Sequence, residues 1–125
     1  MDSFEILEGQ TLTAVEVIND DEQIIFTVDN GDQYKLWHTQ ECCEYVYIED
    51  ICGDLNDLVG HGPILLAEEI SYQDETPEGT SHPEYPSDSY TWTFYKLATV
   101  WGAVTIRWYG GSNGYYSEAV DFQKI

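Results

Sequence analysis

The side chains most capable of catalysis or metal binding lie in one stretch, Trp37–Leu58, which contains all three cysteines of the chain. His38 lies four residues before Cys42, and Cys43 follows directly. Glu44 could orient the imidazole, which would complete a set of the kind that activates a cysteine nucleophile. A nucleophilic thiolate needs an electropositive setting, however, and this stretch is acidic. The sequence therefore assigns no catalytic residue, and an enzyme is the third of three functions considered.

Metal binding is the second chemistry that these residues suggest. His38 and the cysteines give the spacing H-x3-CC-x8-C, whereas structural zinc sites usually contain a C-x2-4-C knuckle. Adjacent cysteines on a strand point to opposite faces, so Cys42 and Cys43 would not easily bind one ion. We expect buried, apolar cysteines, with a strained vicinal disulfide as an alternative. We expect no metal and no cofactor.

Six carboxylates in this stretch form the candidate partner-binding acidic face. Their spacing differs from the D-x-[DN]-x-[DN]-G pattern of a calcium loop, so solvated carboxylates are the better interpretation. Asp54 is also predicted to be the N-cap of a helical turn at Leu55–Val59. The acidic face consists of Glu41, Glu44, Glu49, Asp50, Asp54 and Asp57.

A possible ligand pocket surrounds Arg107, the only arginine of the chain. A buried arginine must be paired, and Glu44 or Glu118 is the expected partner. Alternatively, the guanidinium grips a phosphate or carboxylate of a ligand, beside the backbone amides of a glycine-rich loop. That loop is not a P-loop, because it lacks the Lys-Ser/Thr pair and the helix that follows. The pocket would be lined by His38, Arg107, Asn113, Tyr115 and Tyr116.

The charge of the chain is strongly unbalanced. The 125 residues carry a net charge of −20, and 22 of the 24 acidic residues but only one basic residue lie in residues 1–90. Such a surface repels nucleic acid and membranes and attracts basic partners, although solubility or salt adaptation would explain it equally well. Ten tyrosines and four tryptophans exceed what one small core requires, so some should be exposed as interface anchors.

The length fits a single domain, 1–125, and the location is expected to be cytoplasmic. No apolar run is long enough for a transmembrane helix, and the N-terminus shows no signal peptide. An odd number of cysteines fits a reducing compartment.

Patterns of alternation predict an all-β protein, an antiparallel sandwich or partly open barrel of seven to eight short strands. Residues 1–10 are interpreted as a lead-in, residues 72–89 as a long loop that is either a lid or a passive connection, and Gly110–Gly114 as a tight loop. At most one short helical turn is expected. The predicted strands are Thr11–Asn19, Ile24–Asp29, Gln33–His38, Tyr45–Ile51, Ile64–Ser71, Tyr90–Leu97, Ala103–Tyr109 and Tyr115–Phe122. For Ile64–Ser71 a short helix is the alternative to a strand.

Two of these predictions are specific enough to check by register. Asn30–Gly31 is typical of a two-residue type I′ hairpin turn, which would place Phe26 opposite Lys35 and Ile25 opposite Leu36. In Ala103–Tyr109, the alternation places Val104, Ile106 and Trp108 on one face and Arg107 on the other.

Three blocks of the chain carry a resemblance to a known family. They are H-x-Q-x-CCE-x-V-x-IEDI-x-GDL-x-DL from His38 to Leu58, TWTFY from Thr91 to Tyr95, and IRWYG-x-SNGYYSE from Ile106 to Glu118. Together they cover about half the chain, which resembles a family of small acidic proteins of tailed bacteriophages and bacterial prophages, a domain of unknown function. The resemblance implies a phage or prophage origin and a host bacterial cytoplasm. It implies no reaction and no catalytic residue.

Charge and resemblance together favour an interaction protein that mimics nucleic acid and inhibits a basic host protein, such as a DNA- or RNA-binding or defence protein. Direct binding to nucleic acid or a membrane is not expected. The alternative is a protein that binds or sequesters a small, nucleotide-like ligand.

Overall fold

Eight strands in a computed structural model form two antiparallel sheets of four strands each. The structure describes residues 2–18, 22–77, 80 and 88–125. The strands are β1 Leu12–Ile18, β2 Gln23–Val28, β3 Gln33–Trp37, β4 Tyr45–Cys52, β5 Leu66–Gln73, β6 Ser89–Ala98, β7 Ala103–Ser112 and β8 Asp121–Lys124. Sheet one has the order β1-β2-β3-β8, and sheet two has the order β4-β7-β6-β5. The predicted all-β class with antiparallel strands is confirmed.

The core lies between the two sheets. Phe26 and Leu36 of sheet one and Ile106 of sheet two are completely buried in the same apolar cluster. The alternation predicted for β7 is confirmed, because Val104 and Trp108 join this cluster while Arg107 faces outward. Each sheet therefore has one face against the core and one face directed away from it.

The N-terminal segment is part of the core, which corrects its interpretation as a lead-in. Residues Phe4–Leu7 form a 3-10 turn that buries Phe4 and Leu7. The ring of Phe4 contacts Phe26 of sheet one and Tyr95 of sheet two, with centroids 6.2 and 4.7 Å apart. A second 3-10 turn, Leu55–Leu58, lies close to the predicted helical turn. The described residues thus contain two helical turns where at most one was expected, and no α-helix.

The predicted register between β2 and β3 is wrong by one residue. Ile25 pairs with Lys35, and Phe26 pairs with Tyr34. The loop contains three residues, 29–31, because Val28 and Asp32 close it, and Gly31 alone adopts positive φ. A type I turn followed by a left-handed glycine produces this longer loop, whereas a type I′ turn would need positive φ at Asn30 as well.

The alternation in β4 is broken by a bulge between Ile48 and Asp50. Ile48 pairs with Trp108, and Asp50 then pairs with Arg107. The extra residue, Glu49, shifts the remainder of the strand by one position. As a result Glu49 and Asp50, which strict alternation would place on opposite faces, both reach Arg107.

The end of the chain differs most from prediction. Strand β7 continues through the first three residues of the predicted glycine loop and ends at Ser112, whereas residues 115–120 form an irregular segment. The last strand begins only at Asp121 and pairs with β3. A side chain at Gly110 would lie 2.9 Å from the backbone oxygen of Glu118, so glycine is needed there for close packing of the segment.

The predicted 72–89 loop begins later than expected, since β5 extends to Gln73 and β6 starts at Ser89. Most of this loop lies outside the described residues, so its role as a lid or a connection stays a prediction. None of the helical turns described is long and apolar enough to cross a membrane.

Candidate functional site

His38 and Glu44 form a buried hydrogen-bonded pair at the start of the cysteine-containing stretch. The imidazole Nε2 lies 2.8 Å from Glu44 Oε2, and Nδ1 lies 2.7 Å from the carbonyl oxygen of Ala119. Both ring nitrogens are therefore engaged, one by a carbonyl oxygen and one by a carboxylate. Neither nitrogen is left to take a proton from Cys42, and this geometry does not assemble the predicted nucleophilic set.

Glu44 belongs to the interior, which corrects its assignment to the acidic face. Its exposed fraction is 3%. Besides His38, its carboxylate accepts hydrogen bonds from the backbone N–H groups of Glu41 at 2.9 Å and Cys42 at 2.8 Å. Burial would raise the pKa of Glu44, but these three donors and the backbone N–H of Glu44 itself outweigh it and lower the pKa to about 2. The residue holds the turn before β4 together.

The cysteines are exposed, so the expectation that they are buried is wrong. Cys42 and Cys43 form the vicinal disulfide that was considered as an alternative, and Cys52 is a free thiol on the surface. A hydrogen bond to Asp50 and burial raise the pKa of Cys52, which opposes thiolate chemistry. The described residues contain no cluster of His, Cys, Asp and Glu able to hold a metal ion.

Arg107 is paired, but with partners other than those expected. Its Nε donates to Glu49 at 2.5 Å, and its Nη2 donates to Asp50 at 3.5 Å. The predicted partners were Glu44, which binds His38 instead, and Glu118. The guanidinium also lies over the Trp92 ring, 5.8 Å from its centroid. The hydrogen bond to Glu49 and the nearby carboxylates raise the pKa of Arg107, which remains a cation.

The outer surface of sheet two forms a continuous aromatic layer, here called the aromatic face. Tyr109 is central: its ring centroid lies 4.9 Å from that of Trp92 and 5.9 Å from that of Tyr47. Tyr45 and Tyr47 remain 44% and 40% exposed. Trp92 and Tyr109, at the centre of the layer, are buried, with 3% and 2% of their surface exposed. The aromatic face consists of Tyr45, Tyr47, Tyr72, Tyr90, Trp92, Phe94 and Tyr109.

The remaining members of the acidic face lie at the surface. Glu41 is exposed, Asp57 is half-buried, and Glu49 and Asp50 lie beside the aromatic face. Asp54 is exposed, and its carboxylate accepts a hydrogen bond from the backbone N–H of Asn56 at 2.9 Å, which confirms it as an N-cap. Arg107 neutralises part of the charge of Glu49 and Asp50. The surface around these two residues is therefore less acidic and more aromatic than the sequence suggested.

The residues of the predicted ligand pocket lie on opposite sides of sheet two. Arg107 faces outward, whereas Tyr115 and Tyr116 line a cleft on the inner side. Asn113 and Tyr116 border a smaller depression of about 280 Å³, and His38 borders another of about 290 Å³. The structure therefore brings Tyr115 and Tyr116 together but places Arg107 away from them.

The larger cleft, which sequence patterns did not reveal, has a volume of about 450 Å³. Its floor is the part of the inner face of β5 and β6 where serine and threonine replace apolar residues, including Ser71, Thr91 and Thr93. The irregular segment before β8 forms its wall and contributes Glu118. In the sequence, the alternating threonines of TWTFY were the signal that could have indicated this polar floor.

Comparisons with known proteins identify a family but transfer no activity. Searches of curated proteins and of solved structures found no match. One family, described as Domain of unknown function (DUF7448), matches residues 5–122, which includes nearly every strand of both sheets. The chain therefore belongs to the DUF7448 family.

Proposed function

We propose that this protein is an interaction protein that binds a basic, nucleic-acid-binding protein through its aromatic face. The observation that carries the proposal is the aromatic face of sheet two, whose members Tyr45 and Tyr47 are 44% and 40% exposed. Tyrosine and tryptophan supply large contact areas at low entropic cost, and they dominate the binding energy of many interfaces. Tyr45 and Tyr47, which are exposed at one edge of this layer, are the expected anchors.

The negative charge of the chain indicates a partner with a basic surface. The net charge of −20 attracts basic surfaces over several ångströms and repels nucleic acid and anionic membranes. Glu49 and Asp50 at the edge of the aromatic face can bind arginine or lysine of the partner, and the exposed tyrosine rings can stack on a guanidinium. A surface that binds nucleic acid has this complementary chemistry.

The resemblance to small acidic proteins of phages and prophages suggests the biological setting. A phage or prophage protein acting in a bacterial cytoplasm would encounter host DNA- and RNA-binding proteins, including defence nucleases. Carboxylates in place of phosphates would then block the partner's nucleic-acid site. Mimicry of nucleic acid is the proposed mechanism of inhibition.

The test compares capture by the wild-type protein with capture by a Tyr45→Ala/Tyr47→Ala variant from nuclease-treated bacterial lysate. Trp101→Ala is the matched control, because Trp101 is also an exposed aromatic residue but lies in the β6–β7 turn. We expect a partner that is retained by the control, lost with the tyrosine variant, and released by high salt. The purified partner should also be displaced by DNA or RNA. Equal capture by all three proteins, or a partner that nucleic acid does not displace, would contradict the proposal.

The alternative, a nucleotide-like ligand bound by Arg107, has less support. The guanidinium already has two carboxylate partners, and a phosphate would have to displace Glu49 and Asp50 while remaining close to their charges.

A further inference from the structure

A disulfide joins the neighbouring residues Cys42 and Cys43, both of which are exposed. They lie in the connection between β3, which ends at Trp37, and β4, which begins at Tyr45. A bond between adjacent residues closes the shortest loop that a chain allows, so it removes little conformational freedom from the unfolded state. Exposure also leaves its sulfurs open to attack by a dissolved thiol. This disulfide therefore adds little to the stability of the fold and is readily reached by small molecules.

The turn that contains the two cysteines is held by hydrogen bonds that do not involve sulfur. The Glu44 carboxylate accepts hydrogen bonds from the backbone N–H groups of Cys42 at 2.8 Å and Glu41 at 2.9 Å. The side-chain amide of Gln40 donates to the carbonyl oxygen of Cys42 at 3.1 Å. Because these contacts do not need the disulfide, opening it leaves the two thiols side by side. The same bond can then form again.

A depression beside the disulfide offers a small thiol a position from which to react. Its volume is about 280 Å³, which exceeds that of a thiol with two or three carbon atoms. Of the two cysteines, Cys43 is the one that lines it, together with Tyr45, Asn113 and Tyr116. Holding two reacting groups next to each other accelerates their reaction. Cys43 is therefore the sulfur that a thiol in this depression reaches.

The charge around the depression determines which thiols are favoured. Glu44 and Asp88 line it, and Glu41 is exposed in the adjoining turn. The described residues that line the depression include no lysine or arginine. A negative surface raises the local concentration of cations and lowers that of anions. A thiol that carries an ammonium group is therefore favoured over one that carries a carboxylate.

We propose that Cys42 and Cys43 form a reversible thiol–disulfide exchange site for small aminothiols. The thiolate of one aminothiol attacks the sulfur of Cys43, the bond to Cys42 breaks, and Cys42 leaves as a thiolate that takes up a proton. The thiolate of a second aminothiol then attacks the aminothiol sulfur of this mixed disulfide, and Cys43 leaves and is protonated in turn. The protein gains two electrons and two protons, and the two aminothiols become one small disulfide. In the reverse direction that small disulfide is the oxidant. The site does not depend on the partner proposed for the aromatic face.

The experiment is reduction of the folded chain by three thiols of similar size: cationic cysteamine, neutral 2-mercaptoethanol and anionic 3-mercaptopropionate. Intact-mass spectrometry follows the gain of two hydrogen atoms, and circular dichroism follows the fold. Each rate is divided by the rate of the same thiol with a neutral small disulfide, which removes differences in intrinsic reactivity. We expect this ratio to be about tenfold higher for cysteamine than for 3-mercaptopropionate, with a smaller difference at high salt. Cystamine, the disulfide of cysteamine, should restore the bond.

Reduction should leave the protein folded, with a Tm lowered by less than about 4 °C, because the hydrogen bonds of the turn remain. Resistance of the folded protein to every thiol, or failure of cystamine to restore the bond, would overturn the proposal. Equal normalised rates for the cationic and anionic thiols would do the same. Unfolding on reduction would show that the disulfide is a structural bond and not an exchange site.

Single-cysteine variants test which sulfur is attacked. Cys42→Ser leaves the thiol of Cys43 beside the depression, whereas Cys43→Ser leaves the thiol of Cys42, and both are made together with Cys52→Ser. We expect the variant that retains Cys43 to form a mixed disulfide with cystamine about tenfold faster than the variant that retains Cys42. Cys52→Ser alone is the matched control, since Cys52 is an exposed free thiol, and it should not change the rate of reduction. Equal rates for the two single-cysteine variants, or slower reduction of Cys52→Ser, would overturn the assignment of the site.

Discussion

At the scale of single residues, two glutamates three positions apart have opposite roles. Glu41 is exposed, whereas Glu44 is buried and accepts hydrogen bonds from two backbone N–H groups and His38. The difference arises from the turn between them, which points backbone donors at one carboxylate. The environment of each glutamate, and not its residue type, decides whether it is a solvated surface charge or a buried group that stabilises the fold.

Replacing Glu44 with glutamine should make the stability of the protein less dependent on acid pH. The pKa of Glu44 is about 2 in the folded protein and near 4.5 in the unfolded chain, so its ionised form stabilises the fold. This contribution is complete above pH 4.5 and is lost as the pH falls towards 2. The difference in unfolding free energy between wild type and Glu44→Gln, measured with denaturant, should therefore shrink over that range.

Glu41→Gln is the control for Glu44→Gln, because it removes the same charge from an exposed position. Its unfolding free energy should follow that of the wild type closely from pH 7 to pH 2. If Glu44→Gln also followed the wild type, the buried hydrogen-bonded carboxylate would not be a stabilising feature.

Arg107 should contribute modestly to stability. Its side chain is 18% exposed, and those of Glu49 and Asp50 are 33% and 49% exposed, so solvent screens the ion pairs. Arg107→Met keeps the apolar stem on Trp92 and should cost up to about 1 kcal/mol of unfolding free energy at low salt. The loss should decrease at high salt. A loss of several kcal/mol, unchanged by salt, would indicate a structural role that the exposed ion pairs do not explain.

Sequence predicted residue roles well where the signal is local and poorly where the partner is distant. Asp54 was identified as an N-cap because its acceptor and the following turn are within a few residues. The partners of Arg107 could not be identified, because they depend on a bulge at Glu49 that shifts the strand. The contact of His38 with Ala119 joins residues 81 positions apart, and no local pattern reports it.

At the scale of elements, the short N-terminal turn contributes more to the packing of the core than its length suggests. Phe4 contacts aromatic residues of both sheets, including Phe122 of β8, with ring centroids 5.2 Å apart. One ring thus connects β2, β6 and β8, which are distant in sequence. The turn fills the core between the sheets.

Phe4→Ala should therefore destabilise the protein by about 3–5 kcal/mol, because truncating a buried aromatic side chain leaves a cavity. The measurement is denaturant unfolding. Ile6→Ala is the control in the same turn, since Ile6 is 44% exposed and should change the unfolding free energy by no more than about 0.5 kcal/mol. Similar losses from both variants would mean that the turn does not pack as described.

Most strands were predictable because alternation and turn residues are local, yet the segment before β8 and the hairpin after β2 were not. The segment 115–120 resembles a strand in composition but lacks a partner strand, and it covers β7 at Gly110 instead. The hairpin after β2 differed because Asn30–Gly31 fits two loop lengths. The cleft was also unpredictable, since its wall is the irregular segment before β8, which is distant in sequence from Ser71 and Thr93 on its floor.

At the scale of the whole molecule, the charge distribution separates two kinds of surface. Each lysine and arginine lies on a sheet surface outside the cleft, while the carboxylates are numerous and mostly exposed. The cleft and the surroundings of the aromatic face therefore remain electronegative. This arrangement favours basic partners but also sets like charges against each other within the folded chain.

Self-repulsion should make the protein more stable as salt increases. A net charge of −20 on 125 residues opposes the compact state, and added ions screen this repulsion. Thermal unfolding in increasing sodium chloride should show a rise in Tm, by roughly 3–8 °C if screening adds about 1 kcal/mol. A variant with Glu16→Gln, Glu41→Gln and Glu75→Gln, all exposed positions, should begin at a higher Tm and gain less from salt. A flat or falling Tm in the wild type would show that the ion pairs outweigh the repulsion, since salt weakens them too.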